Sequence, residues 1–191
     1  MADVPPPPTL PPLEGWVRVD ESTDRPFELG FIHVLARTVI YEDASIRERV
    51  PATADGPWRF LFATRLEVRP RTPPSKALTR LVVNGAASGF KDQLTERGFS
   101  AIHENWRRSL AVPDGEAEVI HYETTVTFAG VRLAADAYLA VTPHEGEYLL
   151  LGGAYPKEVL DGASETADAL HDALDPERFR EELFRVIRRM E

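Results

Sequence analysis

The spacing of apolar side chains along the chain changes several times, and each change predicts an element. From His33 to Glu42, Leu35, Arg37, Val39 and Tyr41 alternate with Val34, Ala36, Thr38 and Ile40. Both sets hold apolar residues, which suits a strand covered on two faces. Ala52 to Pro57 reads as a turn, and Trp58 to Val68 as the next strand. There Trp58, Phe60, Phe62, Leu66 and Val68 face one way, and Arg59, Arg65, Glu67 and Arg69 the other. The period then becomes helical. Leu78, Leu81, Val82, Gly85, Gly89, Phe90 and Leu94 form one stripe, with Thr72 as N-cap, Pro73 in the first turn and Gly98 as the left-handed stop. Gly85 and Gly89 predict close approach of this helix to the sheet.

Four strands joined by tight turns follow. Ile102, Glu104, Trp106, Arg108 and Leu110 share a face of the first, and Ile120, Tyr122, Val126 and Phe128 a face of the second. Pro113-Asp114-Gly115, read as a three-residue loop, makes these even-numbered sets meet. Ala129-Gly130 is a two-residue turn that switches parity, so Val131, Leu133, Ala135, Ala137, Leu139 and Val141 oppose the apolar face of the second strand. Pro143 to Gly146 returns the chain into Tyr148–Leu151, and Gly152-Gly153 marks a bulge or a close backbone approach. Ser164 to Leu174 reads as a short helix. Asp175-Pro176 opens a second one, with Phe179, Leu183, Val186, Ile187 and Met190 as its buried stripe. Six prolines between Pro5 and Pro12 predict extended polyproline II. Residues 1–26 are therefore expected to be a flexible Pro-rich tail and 27–191 a single α+β domain, with structure beginning near Trp16 or Phe27.

The order of two strands, a long helix, four antiparallel strands and C-terminal helices resembles the α/β/α sandwich of PsbP-like proteins over residues 33–190. That resemblance rests on element order and implies an accessory, partner-binding role. The expected fold class is α+β, with an antiparallel sheet of about six strands against the long helix and the C-terminal helices. A helix-grip domain is the second candidate, although it usually places two short helices after its first strand.

Composition narrows the functional classes. The chain has 191 residues, no Cys and a net charge of −9. This excludes disulfides and thiolate chemistry, and it argues against nucleic acid as a partner. Of 22 basic residues only Lys76, Lys91 and Lys157 are lysines, and this Arg-rich, acidic composition is similar to that of haloarchaeal proteins. The opening residues lack a basic start and apolar run, and no stretch is long enough to span a membrane, so the expected location is cytoplasmic. The phosphate-loop, zinc-helix and nucleophile-elbow motifs are missing. No catalytic residue, metal ligand set or cofactor is therefore assigned.

Two constellations carry candidate chemistry. Pairing Phe128 with Val131 places His121 opposite Tyr138 and Glu123 opposite Asp136, and the preceding hairpin is expected to bring Arg107 beside His121 and Asn105 beside Glu123. Adjacent carboxylates repel, so such a pair takes up a proton or holds a cation, with His121 as a further ligand or general base. The second constellation is Arg59, Arg65, Arg69 and Arg71, suited to a carboxylate, a phosphate or the chain's own acidic segment Glu158–Glu177. The remaining His33, His103, His144 and His171 show no metal-type spacing. The primary expectation is a non-catalytic accessory module that binds a protein partner or small ligand. The alternatives are a small enzyme or cation-dependent protein using His121, Glu123 and Asp136, and a helix-grip carrier of an apolar molecule.

Overall fold

The computed structural model describes residues 4–26, 28–29, 32–50, 59–162 and 164–190. Trp58, the turn at 52–57 and Phe27 lie outside them. The elements are β1 (Trp16–Asp24), β2 (Glu28–Leu29), β3 (Ile32–Asp43), α1 (Ala44–Arg49), β4 (Phe60–Arg69), α2 (Lys76–Glu96), β5 (Phe99–Val112), β6 (Gly115–Phe128), β7 (Val131–His144), β8 (Glu147–Asp161), α3 (Glu165–Ala173) and α4 (Pro176–Ile187). This is an α+β fold. Its sheet is antiparallel, in the order β1-β3-β4-β8-β7-β6-β5, with the two-residue β2 added to β3.

Strand alternation divides the core between two helical layers. Phe62 and Tyr122 meet Phe90 of α2 on one face. On the other face Tyr138 meets Phe184 and Tyr155 meets Phe179, both from α4. The central strands β7 and β8 are therefore apolar on both sides, and Leu133, Leu139, Leu149 and Leu151 are all fully buried.

Several expectations shift in detail. α2 begins at Lys76 with Ser75 as N-cap, its side chain accepting from the Leu78 amide at 3.2 Å, rather than at Pro73 with a Thr72 cap. The tandem Pro73-Pro74 holds the preceding residues out of the helical region. Gly89 does not serve close packing: it is exposed, and a Cβ there would meet nothing within 4 Å. Gly152 and Gly153 do. A Cβ on Gly152 would lie 2.6 Å from the Phe62 ring, and one on Gly153 would lie 2.4 Å from the Phe60 carbonyl oxygen.

The N-terminal segment is not a free tail as far as residue 26. Trp16–Asp24 is an edge strand paired with β3. The Pro-rich stretch before it lies on the molecule, with Pro5 buried, its carbonyl accepting from Arg37 Nη1 at 3.2 Å, and Leu10 and Leu13 packed on the core. An edge strand exposed on most sides shows no apolar alternation, which is why its sequence reads as a tail.

Candidate functional site

The Ala129-Gly130 turn sets the register of the site. Both residues have positive φ, 48° and 75°, the geometry of a two-residue I′ hairpin turn. Phe128 pairs with Val131, which puts His121 opposite Tyr138 and Glu123 opposite Asp136. The preceding hairpin differs from expectation. Its turn has two residues, Pro113-Asp114, because Gly115 pairs with Val112 as the first residue of β6. Trp106, not Arg107, therefore opposes His121, and His103, not Asn105, opposes Glu123. Arg107 lies opposite Ile120 on the α2 face, where it pairs with Glu104 at 3.0 Å and Glu118 at 3.2 Å. It takes no part in the cluster.

What remains is a row of rings across four strands. Trp106 and His121 have centroids 5.3 Å apart, His121 and Tyr138 stack at 4.6 Å, and Tyr138 and Tyr155 stack at 6.1 Å. His121 is buried and both of its ring nitrogens are engaged. Nε2 lies 3.0 Å from Asp136 Oδ1, and Nδ1 lies 3.3 Å from the Asn105 amide nitrogen. Because the carboxylate accepts and the amide NH2 donates, the neutral ring carries its proton on Nε2.

The two carboxylates are not left facing each other alone. Lys157 stands between them, 3.0 Å from Asp136 and 3.7 Å from Glu123. Burial by itself raises the Asp136 pKa, but hydrogen bonds from His121 and Lys157 outweigh it and hold the carboxyl below its ordinary value. Desolvation opposes the Lys157 charge, and Asp136 overrides it, so its pKa lies above the ordinary value. Glu123 is half exposed, and its contact with the cluster is through Lys157. Among the described residues no group of three His, Asp or Glu side chains is placed to hold a metal ion.

The four arginines expected to bind anions are dispersed in ion pairs. Arg59 pairs with Asp43 at 2.8 Å and Glu182 at 2.7 Å, Arg65 with Glu147 at 3.5 Å, and Arg69 and Arg71 with Glu67 at 3.1 and 3.5 Å. None of these acids comes from Glu158–Glu177.

A different cationic surface faces the ring row. Beside α4 runs an open groove of about 840 Å³, with Trp106, His121, Asp136, Tyr138 and Phe184 along its floor and wall. Arg108, Arg180, Arg185, Arg188 and Arg189 line it, against only Asp136 and Glu181 of opposite sign. Arg108 lies over the Trp106 indole, 3.8 Å from its centroid. Among the described residues none of these five arginines forms an ion pair. Sequence reasoning missed them as a site. The available signal was the helical spacing of Arg180, Phe184 and Arg188, which puts a ring between two cations on one stripe. A smaller cleft of about 340 Å³ lies on the other side of α4, between Pro11-Pro12-Leu13 and Phe179 and Val186.

Fold and groove together define a three-layered α+β protein that carries an arginine-lined channel beside its last helix. The chain belongs to the family described as a domain of unknown function, DUF6517, whose model matches residues 4–191. No curated protein and no solved structure matches it. No helix among the described residues is long and apolar enough to cross a membrane.

Proposed function

We propose that this protein is a non-catalytic binding module whose α4 groove takes an anionic ligand. The observation that carries this reading is the set of five arginines that form no ion pair among the described residues and line one groove, Arg185 and Arg189 bordering the smaller cleft as well, in a chain with net charge −9. In an acidic protein most cations find a carboxylate, as Arg59, Arg65, Arg69, Arg71 and Arg107 do. Guanidinium groups left together and unpaired suit carboxylate or phosphate oxygens supplied from outside.

The enzyme reading lacks a free base, since both nitrogens of His121 are occupied and its ring lies between Trp106 and Tyr138. The helix-grip reading calls for an apolar cavity under the sheet, whereas this groove is charged. Helical layers on both faces of the sheet support the PsbP-like relationship and its accessory role, and the Arg-rich, acidic composition supports a salt-adapted, haloarchaeal origin.

Calorimetric titration with inorganic tripolyphosphate at low ionic strength tests the reading. Saturable binding that weakens as salt is added is expected, with at least a tenfold loss in the Arg185→Gln/Arg188→Gln double variant. Absence of binding to the wild-type protein, or equal binding by the double variant, overturns it.

A further inference from the structure

The shape of the cationic surface narrows the ligand class, an inference that rests on the anion-binding reading above. Arg180 on α4 and Arg188, the helical C-cap that follows it, are eight residues apart, so at about 1.5 Å per residue the row they define is about 12 Å long. Alternate side chains of an extended peptide repeat every ~6.7 Å, so three successive same-face residues cover ~13 Å. The cations are thus spread over a length that an extended chain matches and a single phosphate or carboxylate does not.

The opposite rim of the groove is also suited to a peptide. It is formed by β5, which supplies Trp106 and Arg108 and is the last strand on its side of the sheet. Its one strand partner among the described residues is β6, so one row of its backbone N–H and C=O groups faces outward. The stretch from Trp106 to Val112 pairs with β6 without interruption, so this row is regular where it borders the groove. Nucleic acid fits less well. Its charge continues beyond any one site, and outside the groove it would meet the surface of a protein with net charge −9.

We propose that the groove binds an extended acidic peptide segment, its alternate carboxylates turned to Arg180, Arg185 and Arg188 and its backbone lying along the β5 rim. Charge complementarity holds it, and the 12 Å row sets the spacing that it reads.

The test uses the full chain and four probes under the same buffer: the peptide (Glu-Ser)4, its isomer Glu4Ser4, tripolyphosphate and an eight-nucleotide oligothymidylate. The two peptides have equal charge and composition and differ only in spacing. Binding of (Glu-Ser)4 about tenfold tighter than Glu4Ser4, with the difference lost in Arg180→Gln/Arg188→Gln, supports the proposal. Equal binding of the two peptides overturns it but leaves the anion-binding reading standing, because tripolyphosphate still binds. Tighter binding of the oligonucleotide than of either peptide overturns it in favour of nucleic acid. If no probe binds, this proposal and the anion-binding reading both fail. Far-ultraviolet circular dichroism checks that the variants, which alter exposed positions, remain folded.

Discussion

Arg59 gives the sharpest test of how this fold is held together. Its side chain is 3% exposed and joins four elements. Nη1 donates to Asp43 at 2.8 Å, and Nη2 donates to Glu182 of α4 at 2.7 Å. The guanidinium lies between the Trp16 ring at 4.7 Å and the Phe179 ring at 4.3 Å. Asp43 is itself the N-cap of α1, accepting from the Ser45 amide at 2.8 Å and its hydroxyl at 2.6 Å. In Arg59→Met the apolar stem remains but Asp43, 4% exposed, loses its cation. Removing one partner of a buried pair costs about 3–5 kcal/mol, because the other charge stays buried. For a chain of this size that lowers Tm by roughly 6–20 °C. Urea and thermal unfolding at pH 7 provide the assay. The double variant Arg59→Met/Asp43→Ser removes both charges while Ser keeps the capping oxygen, and it is expected to recover more than half of the loss. A loss below about 1 kcal/mol in the single variant, or a double variant no more stable than the single, refutes the reasoning.

Other consequences are equally direct. Gly153→Ala forces a Cβ to 2.4 Å from the Phe60 carbonyl oxygen, which is backbone and cannot swing aside. A loss of at least ~1–3 kcal/mol is expected in urea unfolding, and a neutral result counts against the strand spacing described here. Gly89→Ala, exposed and with open space around its Cβ, is expected to stabilise by up to ~1 kcal/mol, read as a higher urea midpoint. Asp43 is desolvated, which raises its pKa, but Ser45 and Arg59 together bring it below the ordinary value, as His121 and Lys157 do for Asp136. A depressed carboxyl contributes stability that is complete above its unfolded pKa, about 3.9, and lost as pH falls through the folded value. The urea midpoint is therefore expected to fall below pH 4, less steeply in Asp136→Asn, and a midpoint that rises on acidification contradicts this.

How far the sequence revealed the fold depended on whether the deciding residues were local. The hairpin at Ala129-Gly130 was legible because a two-residue turn and an apolar alternation on both strands fix the same register. α4 was legible from Asp175-Pro176 and its stripe, which the structure extends by Phe184. The Pro113-Asp114 turn misled because Gly115 is equally acceptable as a left-handed bulge residue and as the first residue of a strand. Docking of the Pro-rich segment had no local sign, since its partners, Arg37 for Pro5 and the core for Leu10 and Leu13, lie far along the chain. The groove was illegible for the same reason: Arg108 and Arg188 are 80 positions apart, and it takes the packing of α4 on the sheet, Phe184 on Tyr138 and Phe179 on Tyr155, to bring their elements together.

The irregularity that hid the register also shapes the site. Counted back from the Val112–Gly115 pair without interruption, Glu104 would oppose Glu123 on the groove face. The register instead shifts between Glu104 and Trp106, so that Glu104 opposes Tyr122 on the α2 face and pairs with Arg107. The hydrogen bond from Arg107 holds the Glu104 carboxyl below its ordinary pKa there, so it remains an anion on the side away from the groove. The inserted residue is Asn105, whose amide occupies His121 Nδ1. One added residue thus moves a carboxylate off the ring row and closes the second nitrogen of its histidine. Bulges re-aim side chains in this way beside functional sites. Here the result is a groove whose arginines face few acids and whose histidine has both ring nitrogens engaged in its wall.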